Sequence, residues 1–239
     1  MPNSTTSPRA CHTNRPASAL LSPTLRIPLI IGIGLAALQQ ATGINTVIYY
    51  APTIFQFAGL GSAAASIFAT IGVGVVNVLA TLVALWLIDR VGRRPLLLVG
   101  EAGMMVSLIV LGIGFLWRGE GEMTGWITAG GLMIYVGFFA IGLGPVFWLL
   151  IAEIYPLQVR GLAMSVATVV NWSVNLLVAL TFLSLVGLVV ESATFWLYAA
   201  LAAGAVVFTW SLVPETKGKT LEEIEAHFQA GRHSRAISL

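Results

Sequence analysis

Residues 27 to 88 contain no Asp, Glu, Lys or Arg. Such a run holds two helices of about 20 residues, the length a hydrocarbon core of about 30 Å demands, with Gly59-Leu60-Gly61 as the turn between them. This predicts spans near 27 to 57 and 63 to 88. Further continuous apolar runs near 95 to 117, 125 to 151, 161 to 186 and 192 to 213 bring the expected count to six. None shows the in-out alternation of a membrane barrel strand, so the expected fold is all-α and polytopic. A composition 57% hydrophobic and 9% charged excludes a water-soluble domain, in which about a quarter of residues are charged.

Charge sets the expected orientation. With the N-terminus in the cytoplasm, Arg9, Arg15, Arg26, Arg90, Arg93, Arg94, Arg160, Lys217, Lys219, Arg232 and Arg235 fall inside and only Arg118 outside. Both termini are therefore expected in the cytoplasm of a cell (plasma or inner) membrane. Residues 1–24, rich in Ser, Thr, Pro and Asn, lack the apolar region of a secretory signal and read as a disordered leader, a transit peptide being less favoured. Residues 25–213 form the transmembrane domain and 214–239 a polar tail, where Thr220 and Glu223 match a capping box opening an amphipathic helix.

Polar side chains in hydrocarbon need partners, so those inside the spans carry the information. At about 100° per residue, Gln39, Thr42, Asn45, Thr46 and Tyr49 share one stripe of the first span, with Gln40 off it unless Gly43 unwinds the helix and brings it round. Ser165, Thr168, Asn171, Trp172 and Asn175 form a similar arc on the fifth span, and Asn77 lies mid-way along the second. Any one amide reads equally well as glue between helices, but two full stripes imply a wet cavity. Amides, hydroxyls and aromatics without an ionised group suit a neutral, hydroxyl-rich solute, because an amide both donates and accepts. Trp148 and Trp172 are placed to pack on a pyranose ring, while Trp117 and Trp126 read as interfacial belt residues. Gly142-Leu143-Gly144-Pro145 interrupts the fourth span and reads as a gating element. Glu101 in the third span reads as a carboxyl paired with a neighbour or reaching the interface rather than as a proton site.

The loop Asp89-Arg90-Val91-Gly92-Arg93-Arg94 resembles the D-R-x-G-R-R loop of the sugar porter family of the major facilitator superfamily. That family's Q-Q-x-x-G-x-N-x-x-x-Y-Y-x-P pattern is similar to Gln39-Gln40, Gly43, Asn45, Tyr49-Tyr50 and Pro52. Gly144, Pro145 and Trp148 match G-P-x-x-W; Glu153, Pro156 and Arg160 match E-x-x-P-x-x-x-R; Asn171, Trp172 and Asn175 match N-W-x-x-N; Pro214 to Gly218 match P-E-T-K-G. The resemblance covers about residues 20 to 228 and only the second six-helix half of a twelve-span family. It implies a sugar-binding face of Gln39, Gln40, Asn45, Asn77, Trp148 and Asn171, beside Tyr49, Trp172 and Asn175. It also implies gating at Gly144 and Pro145 and a cytoplasmic charge network of Asp89, Arg90, Gly92, Arg93, Arg94, Glu153, Arg160 and Glu215.

The expected function is transport of a neutral monosaccharide, as the C-terminal half of a sugar/proton symporter or sugar uniporter. The alternative is a truncated or split-gene fragment inactive alone and acting as a partner subunit. Expected partners are a small neutral sugar, membrane lipid, and either a second six-helix half or another copy of the chain. Nucleic acid is not expected, since 12 Lys plus Arg stand against 10 Asp plus Glu without clustering. No enzyme motif, metal-site spacing or cofactor is expected: Gly32-Ile33-Gly34 lies inside a span, Cys11 is the one cysteine, and His12, His227 and His233 lie in the polar ends.

Overall fold

The computed structural model describes residues 25–60, 62–116, 122–188 and 191–229. The leader, Gly61, Trp117 and Arg118 lie outside them. The described residues form helices α1 (Arg26–Ala41), α2 (Ile44–Tyr49), α3 (Ala51–Phe57), α4 (Ala63–Val91) and α5 (Arg93–Leu116). They continue as α6 (Glu122–Ile141), α7 (Leu143–Ile154), α8 (Arg160–Leu188), α9 (Glu191–Leu212) and α10 (Leu221–Gln229), with no strand among them. Six stretches are long and apolar enough to cross a membrane: α1 with α2, then α4, α5, α6 with α7, α8 and α9. The protein is an all-α, multi-pass membrane protein.

Local chemistry explains where the elements stop. The first span ends at Tyr49 rather than near 57 because Pro52 has no N–H to continue the ladder, yet fits the opening turn of a new helix, α3. The turn expected at Gly59 is present, and Ser62 then caps α4 by accepting the Ala65 N–H at 3.1 Å. At the polar end, the Thr220 N–H donates to Glu223 Oε2 at 2.8 Å and the Glu223 N–H donates to Thr220 Oγ1 at 3.3 Å, the reciprocal pair of a capping box. α10 then packs on α7, with Ile224 and Phe228 buried.

Helix α5 packs between α9 and α6, α4 lies against α6, and α1 lies against α8 with α7 and α9 behind it. Lipid is as apolar as leucine, so close backbone approach rather than hydrophobic burial holds such helices together. Gly100 of α5 faces Gly142 at the α6–α7 junction so closely that a Cβ on Gly100 would lie 2.6 Å from the Gly142 Cα. The least covered spans are α4 and α8, where 17% of the most apolar stretch is buried against 56% in the first span. Their outward faces carry Phe68, Leu79 and Trp86, and Val169, Leu176 and Leu180.

Candidate functional site

The first span is not one helix. Gly43 takes φ +87°, a left-handed conformation that costs glycine little, and α1 stops at Ala41, one residue beyond the two glutamines. Helical phase does not carry across such a break. The Asn45 side chain of α2 therefore swings back to donate to Gln40 Oε1 at 2.9 Å, bringing Gln40 into line with the polar residues beyond the glycine.

From Gln40 a chain of amides crosses three elements. Gln40 Nε2 donates to Asn171 Oδ1 on α8 at 3.0 Å. Asn171 Nδ2 donates to Gln39 Oε1 at 2.7 Å and to the Ala36 carbonyl at 3.0 Å. Gln39 Nε2 donates to the Leu143 carbonyl on α7 at 2.7 Å. Gln39, Gln40 and Asn171 are buried and bond one another and backbone carbonyls, so this relay joins α1, α7 and α8. A ligand arriving here must take over amide bonds that already exist.

The other expected residues are placed differently. Thr42 and Thr46 are buried inside the bundle rather than sharing a stripe with Tyr49, and Thr46 Oγ1 has no partner among the described residues. Tyr49 and Trp172 are exposed, at 54% and 56%. Trp148 is half-buried with its ring 4.7 Å from that of Phe147. Asn77 is half-buried and its carbonyl accepts from Thr81, while Asn175 is buried. Ser165 and Thr168 bond carbonyls one turn back on their own helix. The fourth span bends at Gly142 alone, with Gly144 and Pro145 inside the first turn of α7. Tyr135 escaped the sequence reading: its hydroxyl donates at 2.9 Å to the Thr42 carbonyl at the break before Gly43. A tyrosine inside an apolar run was the available signal.

Charged residues gather where α4 meets α5. Arg93 donates through Nη2 and Nε to Glu153 Oε1 at 2.9 and 3.2 Å, and through Nη1 to Asp89 at 3.4 Å and the Ile88 carbonyl at 3.2 Å. Thr216 donates its hydroxyl to the second Glu153 oxygen. Among the described residues Glu215 pairs with no arginine side chain. It accepts the backbone N–H groups of Arg93 and Arg94 at 3.1 and 3.2 Å, setting a negative charge on the positive end of the α5 dipole. Arg90 lies 3.8 Å over the Trp86 ring, Arg94 donates to the Trp210 carbonyl at 2.9 Å, and Arg160 Nε donates to the Tyr155 carbonyl at 3.1 Å. Lys217 Nζ donates to the Arg90 carbonyl at 2.6 Å. Glu101 is fully buried between α5 and α9, where the Thr209 hydroxyl donates to Oε1 at 2.8 Å.

The profile of the sugar (and other) transporter family matches residues 6–228. The chain belongs to that family. Among its relatives, a D-xylose transporter of Levilactobacillus brevis is 41% identical over 222 residues, covering 93% of this chain and 48% of the relative. The facilitated trehalose transporter Tret1 of Bombyx mori is 42% identical over 214 residues, covering 88% and 42%. Among solved structures, the proton:xylose symporter XylE bound to 6-bromo-6-deoxy-D-glucose superposes with a TM-score of 0.75 at 37% identity, covering 84% of this chain and 42% of that one. The inward-open XylE of E. coli gives 0.73 at 36% identity, covering 83% and 41%. This sugar-transporter family chain thus spans less than half the length of the relatives it matches, and those relatives are transporters rather than enzymes.

Proposed function

We propose that this six-span bundle forms one wall of a transmembrane path for a neutral monosaccharide, in a sugar/proton symporter or a sugar uniporter. The observation that carries the reading is the amide relay from Asn45 through Gln40 and Asn171 to Gln39, gathered by the break at Gly43. Sugar hydroxyls are matched to such amides, since each donates and accepts and can replace a partner amide bond for bond. In this reading Gln39, Gln40, Asn45, Asn77, Asn171 and Asn175 answer the hydroxyls. Tyr49, Trp148 and Trp172 cover the apolar ring face, and Gly144 and Pro145 let the fourth span move. The opposing wall comes from another six-span bundle, in the same polypeptide or a separate one, because alternating access needs two bundles around one site.

The charged end is proposed to lie in the cytoplasm with both termini, where Asp89, Arg90, Gly92, Arg93, Arg94, Glu153, Arg160 and Glu215 hold helix ends together in one state and part in the other. A second reading, a bundle that associates without transporting, is favoured by one observation: α4 and α8 leave long apolar faces uncovered.

Titration of the reconstituted protein with xylose and glucose, followed by tryptophan fluorescence, tests the first reading. Gln40→Ala and Asn45→Ala should each weaken binding by roughly 1 to 3 kcal/mol, about 5- to 150-fold. Binding unchanged in both variants would place the site elsewhere. Orientation is checked separately in a Cys11→Ser background: Lys217→Cys should react with an impermeant maleimide only from the cytoplasmic side, and Met123→Cys only from outside.

A further inference from the structure

The Thr42 carbonyl, at the break before Gly43, accepts the Tyr135 hydroxyl from α6 at 2.9 Å, and no N–H bonds it among the described residues. In an uninterrupted helix that oxygen would take the N–H of Thr46, four residues on. A threonine inside such a helix also turns its hydroxyl back onto the same oxygen. Thr70, Thr81, Thr128, Thr168 and Thr181 all do so, at 2.7 to 2.9 Å. Thr46 does not. Its hydroxyl is buried without a partner, while the acceptor that helical geometry would give it is held by Tyr135.

We propose that Tyr135 and Thr46 compete for the Thr42 carbonyl, and that the winner decides whether the first span is broken or continuous. A carbonyl oxygen has two lone pairs. In the continuous form the N–H and hydroxyl of Thr46 fill both, and the Tyr135 hydroxyl, which is fully buried, is left over. In the broken form Tyr135 is satisfied and the Thr46 hydroxyl is left over. Each form therefore leaves one buried hydroxyl unpaired, a similar cost on both sides that brings the two close in energy. Gly43 permits the exchange, because glycine takes left-handed and helical backbone about equally well. The Asn45 side chain belongs to the broken form. In a continuous helix residues 40 and 45 lie about 140° apart around the axis, too far round for the 2.9 Å bond from Asn45 to Gln40. Tyr135 is thus a positioning residue, acting on the amide relay through the backbone of the first span.

The full chain in lipid nanodiscs tests this by pulsed electron resonance, with Cys11→Ser and nitroxides on Ile30→Cys of α1 and Tyr49→Cys of α2, both exposed positions. The parent should show one dominant distance. Tyr135→Phe loses only the hydroxyl and leaves the Thr42 carbonyl to Thr46, so it should raise the share of a second distance about 5- to 150-fold. Adding Thr46→Val should reverse most of that gain, whereas adding Thr46→Ser, which keeps the hydroxyl, should preserve it. An unchanged single distance in Tyr135→Phe would overturn the proposal, as would a gain that Thr46→Val leaves undiminished. A second arm rests on the monosaccharide reading above. In the unlabelled protein, Tyr135→Phe should weaken xylose or glucose binding several-fold and Thr46→Val should restore it. A parent that binds neither sugar would sink that reading alone, since the distances judge the competition without sugar.

Discussion

The Glu215 carboxylate occupies the space that a side chain on residue 92 would need: a Cβ built on Gly92 falls 2.6 Å from Glu215 Oε2. Gly92 also takes φ +110°, which L side chains rarely adopt. One residue thus makes the turn from α4 into α5 and leaves room for the carboxylate that caps α5. Gly92→Ala should destabilise the bundle by about 1 to 3 kcal/mol, through backbone strain and a displaced cap. In a Glu215→Ala background the same change should cost less, because the clash is gone. Thermal unfolding of the four proteins in detergent checks this, and additive losses would show that the two residues do not interfere.

The amides of α8 should separate by their bonds. Asn171→Leu breaks bonds to Gln39, Gln40 and Ala36 and should cost roughly 1 to 3 kcal/mol, since it leaves buried partners unsatisfied. Asn175→Leu, one turn on, breaks no hydrogen bond seen among the described residues and should stay within about 0.5 kcal/mol of the parent. Equal losses would mean that burial, not the relay, sets the cost.

This contrast marks how far the sequence could be read. Length and apolarity were enough to find the six spans, and Gly43 announced both the break and the return of Gln40 toward Asn45, since glycine before a polar cluster signals unwinding. The stripe drawn through Thr42, Thr46 and Tyr49 did not survive, because a constant 100° per residue holds only within one helix. Charge spacing pointed to the Asp89 to Arg94 loop but not to what each residue does there. Glu215 finds backbone N–H groups rather than a guanidinium, and Arg94 finds Trp210, because those partners meet only once α9 lies against α5, whereas Arg90 meets Trp86 one turn back on its own helix, a spacing present in the sequence. Thr209 stayed hidden for the same reason, and Tyr135 because it meets the Thr42 carbonyl only once α6 packs beside the break in the first span.

Arg93 should not tolerate lysine. Its fork reaches Glu153, Asp89 and the Ile88 carbonyl at once from a side chain only 13% exposed, and a point-like ammonium cannot span them. Arg93→Lys should lower stability by about 1 to 2 kcal/mol. Glu153→Gln should lose less, because its amide keeps the shape and still accepts from Arg93 on one side and bonds Thr216 on the other. Thermal midpoints at low and high salt check both, and a small salt effect is expected for so covered a pair.

The meeting of Gly100 with Gly142 gives the most demanding prediction, because nothing at that contact is able to move aside. A Cβ on Gly100 would stand 2.6 Å from the Gly142 Cα and 2.8 Å from the Phe138 carbonyl oxygen, and all of these are backbone atoms. Gly100→Ala must therefore push α5 off the α6–α7 junction, at about 1 to 3 kcal/mol for overpacking. Alanine is otherwise the better helix former, by up to about 1 kcal/mol, so the expected loss runs against intrinsic propensity. Gly130 supplies the control within the neighbouring helix. Its Cβ would meet nothing within 4 Å, and Gly130→Ala should leave stability unchanged or raise it. The junction also bends the fourth span, so Gly100→Ala should shift the fluorescence of Trp148, six residues beyond Gly142, while Gly130→Ala should not. A stable Gly100→Ala protein with unaltered Trp148 emission would show that the two helices are not held by this contact.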